Sequence, residues 1–201
     1  YLGRKMRTLA YVVIFLLILP STSFANISAS VVSFKGEVLY NGQQITKDTK
    51  FLEDGLIEVN ASSYLKILVE EYNSEFSLGP KSSMRVNFKK DINNSPYTFI
   101  NGLLRWVTKG KSKVKGFIRT DSSSLAVRGT DFLIVVSELL GETEVYCFSG
   151  QVLFQNRKDR NDKGLIKKND WGGIGGRFSP KLGKLVPMSE KQIKHVKSLL
   201  E

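Results

Sequence analysis

Apolar and polar residues alternate along most of the chain with a period of two. In Tyr64–Val69, Leu65, Ile67 and Val69 alternate with Tyr64, Lys66 and Leu68, the pattern of a strand that buries one face. Comparable short runs recur at 36–40, 56–59, 83–88, 97–100, 103–107, 116–120, 124–128, 132–136, 144–148 and 151–154. Turn residues separate them. Asn41-Gly42 and Asn101-Gly102 each lie between two such runs and predict hairpins, because Asn-Gly readily takes the positive φ of a two-residue turn. Ser149-Gly150 predicts another tight turn. About a dozen short strands with close turns predict an all-β domain built as a roll, solenoid or sandwich.

The period changes only at the tail. Ile193, Val196, Leu199 and Leu200 recur at helical spacing, with Lys191, Lys194 and Lys197 on the other face. Ser189 can cap this helix, with Gln192 as its reciprocal partner. Such a helix either docks on the β domain or lies on a membrane surface. Before it, residues 156–188 read as a flexible extension. They hold the charge run Arg157 to Lys163 and the glycine-dense Trp171-Gly-Gly-Ile-Gly-Gly176. The glycines are no dinucleotide fingerprint, since no strand–helix unit surrounds them.

The opening segment reads as an address. Arg4, Lys5 and Arg7 precede an apolar run from Leu9 to Leu19, then Pro20, and small residues stand at Ser23 and Ala25. This three-part pattern predicts a secretory signal peptide at 1–25 cleaved after Ala25. The alternative is a retained anchor, for which the run is short against the roughly 20 apolar residues a span needs. Met6 is a possible start.

Charge narrows the partners. The chain carries 30 Lys and Arg against 19 Asp and Glu, a formal net charge of +11. Eight acidic and four basic residues fall between Lys35 and Glu75, but ten basic and one acidic between Lys81 and Arg119. This division predicts an oriented surface or an anionic partner. The sharpest cluster is Lys109, Lys111, Lys113 and Lys115, which would share one face of an extended strand. It reads as a contact for an anionic partner, as a solvated hairpin arm, or as an edge strand protected by lysine. No aromatic residues interleave with these lysines, so nucleic acid is not expected.

The chemistry is sparse. One Cys excludes an intrachain disulfide, and one His excludes a His-rich metal site. Cys147, between Tyr146 and Phe148, reads as a buried thiol. Glu53/Asp54 and Glu70/Glu71 are adjacent, so in strands their carboxylates point to opposite faces. No catalytic residues, cofactor or metal are expected.

Residues 116–154 are distinctive. Ile118, Thr120, Ala126, Val127, Arg128, Gly129, Thr130, Phe132 and Ile134 form one run, and Thr143, Val145, Cys147, Gly150 and Val152 a second. Read physically, Val127, Phe132, Ile134 and Val136 face a core, and Gly129 marks a bend where a side chain would clash. Arg128 would hold either a carboxylate ligand or local carbonyls and Asp131. The two runs resemble the FecR domain, a bacterial envelope module, with Thr120, Val127, Arg128, Gly129, Thr130, Phe132 and Gly150 as structural motif positions. The resemblance implies a FecR-like β domain over 26–155, between the signal peptide and the 156–188 extension, with the helix at 189–201. Classical FecR proteins are membrane-spanning sigma-factor regulators with a cytoplasmic helical region. Eight residues precede the apolar run here, so that region is not expected. The resulting expectation is an exported, noncatalytic protein of the periplasm or cell surface that binds an envelope protein or an anionic envelope polymer. Membrane association is expected only through an uncleaved N-terminal segment. The alternative is a sensory component of a sigma-regulatory relay, and oligomeric state stays open.

Overall fold

The computed structural model describes residues 29–51, 54–70, 72–87, 97–110 and 116–200. Ala25, Lys111, Lys113, Lys115, Glu53 and Glu71, and the opening segment expected as a signal peptide, lie outside the described residues. The described chain begins with β1 (Ala29–Lys35), β2 (Val38–Tyr40), β3 (Gln43–Gln44), β4 (Lys50–Phe51), β5 (Gly55–Val59) and β6 (Tyr64–Val69). Next come β7 (Ser74–Leu78), β8 (Ser82–Val86), β9 (Tyr97–Thr108), β10 (Gly116–Arg119), β11 (Ser123–Val127) and β12 (Asp131–Ser137). It ends with β13 (Glu142–Ser149), β14 (Gln151–Asn156), β15 (Lys163–Lys167), β16 (Asp170–Ile174), β17 (Val186–Pro187) and the helix α1 (Glu190–Lys197). Among the described residues the protein is all-β with a short C-terminal helix, as the alternation implies.

The strands form two layers. The first runs β4-β1-β6-β7-β9-β12-β13-β16-β17. The second runs β3-β2-β5-β8-β9-β10-β11-β14-β15. Among the described residues every strand pairing is antiparallel except β9 with β10. Strand β9 belongs to both layers. Its first half, to Asn101, pairs with β8, and its second half, from Gly102, with β7 and β12.

The passage between layers happens at Gly102. Its φ is +101°, and an added Cβ would lie 2.6 Å from the Ser82 Cα. The Ser82 hydroxyl fills that space, accepting from the Leu103 amide at 3.0 Å and donating to the Leu103 carbonyl at 3.1 Å. Asn101-Gly102 is therefore not a hairpin turn but a bend inside one twelve-residue strand. The dipeptide meets the positive-φ requirement of a bulge as readily as that of a turn. Asn41-Gly42 does join the hairpin of β2 and β3, with φ of 52° and 76°.

Inward residues of both layers make one core. Leu65, Ile67, Val69, Phe132, Ile134 and Val145 face Ile57, Met84, Phe99, Ile118, Leu125, Val152 and Phe154, all at most 1% exposed. Trp106 sits at its centre, 4.3 Å from the Phe76 ring and 5.9 Å from the Phe132 ring. The absence of a Cβ at Gly116 makes room for its indole.

The stretch 156–188, expected as a loop extension, contributes β15 to the second layer and β16 and β17 to the first. Its glycines are packing positions: a Cβ on Gly173 would meet the Phe178 ring at 2.6 Å. The helix docks rather than floats. Ser189 and Gln192 form the capping box, and Val196 and Leu200 are buried with Leu133, Phe148 and Met188 on the outer face of the first layer.

Candidate functional site

The motif residues converge where the chain crosses between layers. β11 lies in the second layer and β12 in the first, and Arg128-Gly129-Thr130 joins them. β13 returns to β14 through Ser149-Gly150. The two crossings touch: a Cβ on Gly150 would lie 2.6 Å from the Gly129 carbonyl oxygen. Gly129 has φ +61° with open space where its Cβ would be. It thus marks a bend, but backbone conformation rather than the expected clash selects it. Val127 and Phe132 are core residues.

The two motif threonines differ. Thr120 is fully buried, and its hydroxyl meets Ser123 Oγ at 2.8 Å, Thr143 Oγ1 at 2.7 Å and the Ser123 amide at 3.0 Å. Thr130 is 2% exposed, and its hydroxyl has no partner among the described residues. A buried hydroxyl without a partner keeps its desolvation cost. Thr120→Val is therefore expected to destabilise by about 2 kcal/mol, whereas Thr130→Val leaves stability unchanged or raises it. Urea denaturation of both variants checks the contrast, and equal losses would refute it.

Arg128 does not hold Asp131. The Asp131 carboxylate receives Arg105 in a two-pronged pair at 3.0 and 3.2 Å. Arg128 instead projects to solvent at the rim of a groove of 600 Å³. Of the four lysines read as a contact cluster, Lys109 is described, and it pairs with Glu75 at 3.1 Å.

That groove lies on the outward face of the second layer, and the strand registers define it. Phe117, Ala126, Leu153 and Leu165 stand opposite one another across β10, β11, β14 and β15. A parallel row holds Arg85, Thr98, Arg119, Ser124, Gln155 and Lys163. On the other side stand Arg128, Gln151 and Lys167. Leu153 is 37% and Leu165 41% exposed. Strands β10, β11, β14 and β15 contain no Asp or Glu. The face is an apolar floor about 14 Å across, taken as three strand spacings, rimmed by cations. The sequence carried a signal for it: in Val152-Leu-Phe154 and Leu165-Ile166 the alternation fails, placing a leucine where an outward polar residue is due.

A second cluster lies on the outer face of the first layer. Glu142, Glu144 and Tyr146 alternate along β13 and so share a face. The two glutamates are 5% and 4% exposed. The Arg177 guanidinium pairs with both, its amide donates to Glu142 at 3.1 Å, and the Tyr146 hydroxyl donates to Glu144. Tyr146 stacks on Trp171 at 5.5 Å. Burial and the Glu144 carboxylate push the Tyr146 hydroxyl up from its ordinary range. The carboxylates raise Arg177 likewise, Glu144 foremost. This pair is spaced by two, unlike the adjacent pairs that drew attention in the sequence. Every group in it faces another, so it forms a closed clamp. Cys147 points the other way into the core, and burial pushes its thiol up to about 11.

Residues 56–153 match the model of the FecR protein family. Two crystal structures of a protein described as a putative anti-sigma factor from Parabacteroides distasonis share the fold. They align with TM-scores of 0.51 and 0.50 at 15% and 14% identity, covering 67% of this chain and 59% of theirs. No curated protein sequence matches the chain.

Proposed function

We propose that this chain, which carries a FecR domain at residues 56–153, is a noncatalytic binding module of the bacterial cell envelope that meets its partner through the outward face of the second layer. The observation that carries this reading is the exposed Leu153–Leu165 pair inside a rim of Arg119, Arg128, Lys163 and Lys167. Monomeric surfaces rarely leave an apolar floor open beside concentrated charge unless something covers it. A noncatalytic role agrees with the chemistry present. The buried glutamates are engaged by Arg177 and Tyr146. Burial pushes the Cys147 thiol up to about 11, which disfavours the reactive thiolate at neutral pH. The opening segment, with its basic residues, apolar run and Ala25 site, supports delivery across the inner membrane.

A second reading, a sensory part in a sigma-regulatory relay, draws on the fold shared with the Parabacteroides distasonis protein described as a putative anti-sigma factor. In that reading the same face receives the upstream component.

The test places a photo-cross-linking residue at Gln151, between Arg128 and Lys167, or at exposed Lys47 in the β3–β4 connection. Capture in intact cells from Gln151 and not from Lys47 is the expected outcome. Capture from Lys47 alone, or from neither, would remove the reading.

A further inference from the structure

Granting that contact face, we infer that its partner is a protein presenting an acidic segment with apolar anchors, and not a bare polyanion or a lipid surface. Three features of the face select this chemistry. The cations are not matched within the face: strands β10, β11, β14 and β15 offer Arg119, Lys163 and Lys167 and no carboxylate. Arg128 and Arg160 extend the charge along the two grooves of this face. Complementary charge must therefore come from the partner.

The leucines exclude the bare polyanion. Leu153 and Leu165 stand directly opposite each other in register with Ala126. A polymer of carboxylates or phosphates would bury nothing against them, and burying both from water is where the apolar free energy lies. Their depth argues against a lipid surface. At 37% and 41% exposure they form a floor below the long basic side chains. Insertion into a bilayer needs protruding apolar groups, as Leu139 protrudes at 94% on the β12–β13 turn, away from this face. A recessed floor instead accepts apolar side chains that project from a partner, while flanking carboxylates meet the rim. This is the arrangement of a hot spot enclosed by polar contacts.

The experiment titrates the full chain with three probes: a synthetic peptide of glutamate and leucine, oligoglutamate of equal length, and vesicles of phosphatidylglycerol and phosphatidylcholine. The glutamate–leucine peptide is expected to bind at least about tenfold more tightly than oligoglutamate, the worth of roughly one leucine buried. Replacing both leucines, Leu153→Ser with Leu165→Ser, should remove that advantage while leaving oligoglutamate binding and the melting temperature unchanged. Arg119→Gln with Lys163→Gln should weaken both peptides and flatten their salt dependence. Equal binding of the two peptides would overturn the inference in favour of a polyanion. Leucine-dependent sedimentation with vesicles would overturn it in favour of a membrane. If Gln151 captures a partner but the glutamate–leucine peptide neither binds nor competes, the acidic-segment inference falls while the contact face stands. Absent capture from Gln151 removes the face itself.

Discussion

Gly102→Ala is expected to lower the unfolding free energy by about 2–4 kcal/mol, combining left-handed backbone strain with a steric overlap. A loss of that size is a large part of what a domain of this kind has to spare. Gly102 carries φ +101°, and the methyl would sit 2.6 Å from the backbone of Ser82. Neither neighbour can retreat cheaply. Ser82 is tied to Leu103 by two hydrogen bonds, and Asn101 is tied to the Lys81 carbonyl at 2.9 Å. The bend is also where β9 passes from one layer to the other, so displacing it loosens the pairings on both sides. Gly129 is the control. It also has positive φ, at +61°, but open space beyond its Cα. Gly129→Ala should therefore cost only the backbone strain, about 1 kcal/mol. Chemical denaturation of both variants separates strain from overlap. Equal losses would show that the bend at Gly102 is not sterically specified.

Arg177→Ala should also be strongly destabilising. It strips the cation from Glu142 and Glu144, whose side chains are 7% and 6% exposed. Two buried carboxylates then face each other with one hydrogen bond donor apiece, the Arg177 amide and the Tyr146 hydroxyl. Unpaired buried charge costs about 3–5 kcal/mol in enclosed sites, and about 2–3 kcal/mol is expected here because Arg177 itself is largely in water. Adding Glu142→Gln and Glu144→Gln to the variant should recover stability at neutral pH. A variant as stable as the parent, or one that Glu142→Gln and Glu144→Gln fail to rescue, would contradict the clamp.

How far the structure was legible depended on which residues obey the alternation. Strand β6 could be read to the residue, because Leu65, Ile67 and Val69 are all fully buried. The helix was legible from Ser189 and Gln192, which form the expected box. Strand β7 escaped because buried Ser74 shares its inward face with Phe76 and Leu78, while buried Ser77 lies on the other face, which blurs the alternation. Strand β1 escaped because its register shifts between Val31 and Ser33, which breaks the period. The 156–188 stretch looked loose because glycine usually signals a turn, whereas Gly172 and Gly173 lie within β16, where Leu185 and Phe178 occupy the space of their missing side chains. The proposed contact face was half visible. The excess of cations can be counted in the sequence, where its sharpest cluster is Lys109 to Lys115. Only the pairing of β10, β11, β14 and β15 aligns Arg119, Lys163 and Lys167 around the leucines. The glutamate pair on β13 needed the opposite insight, that residues two apart share a face while neighbours do not.

The position dependence of cross-linking in living cells weighs most on the whole account. Probes at Gln151, Arg119 and Lys167 should trap one common protein, and probes at Lys47 and on the clamp side at Lys184 should trap none of it. A common product from the clamp side, with silence along β10, β14 and β15, would contradict it.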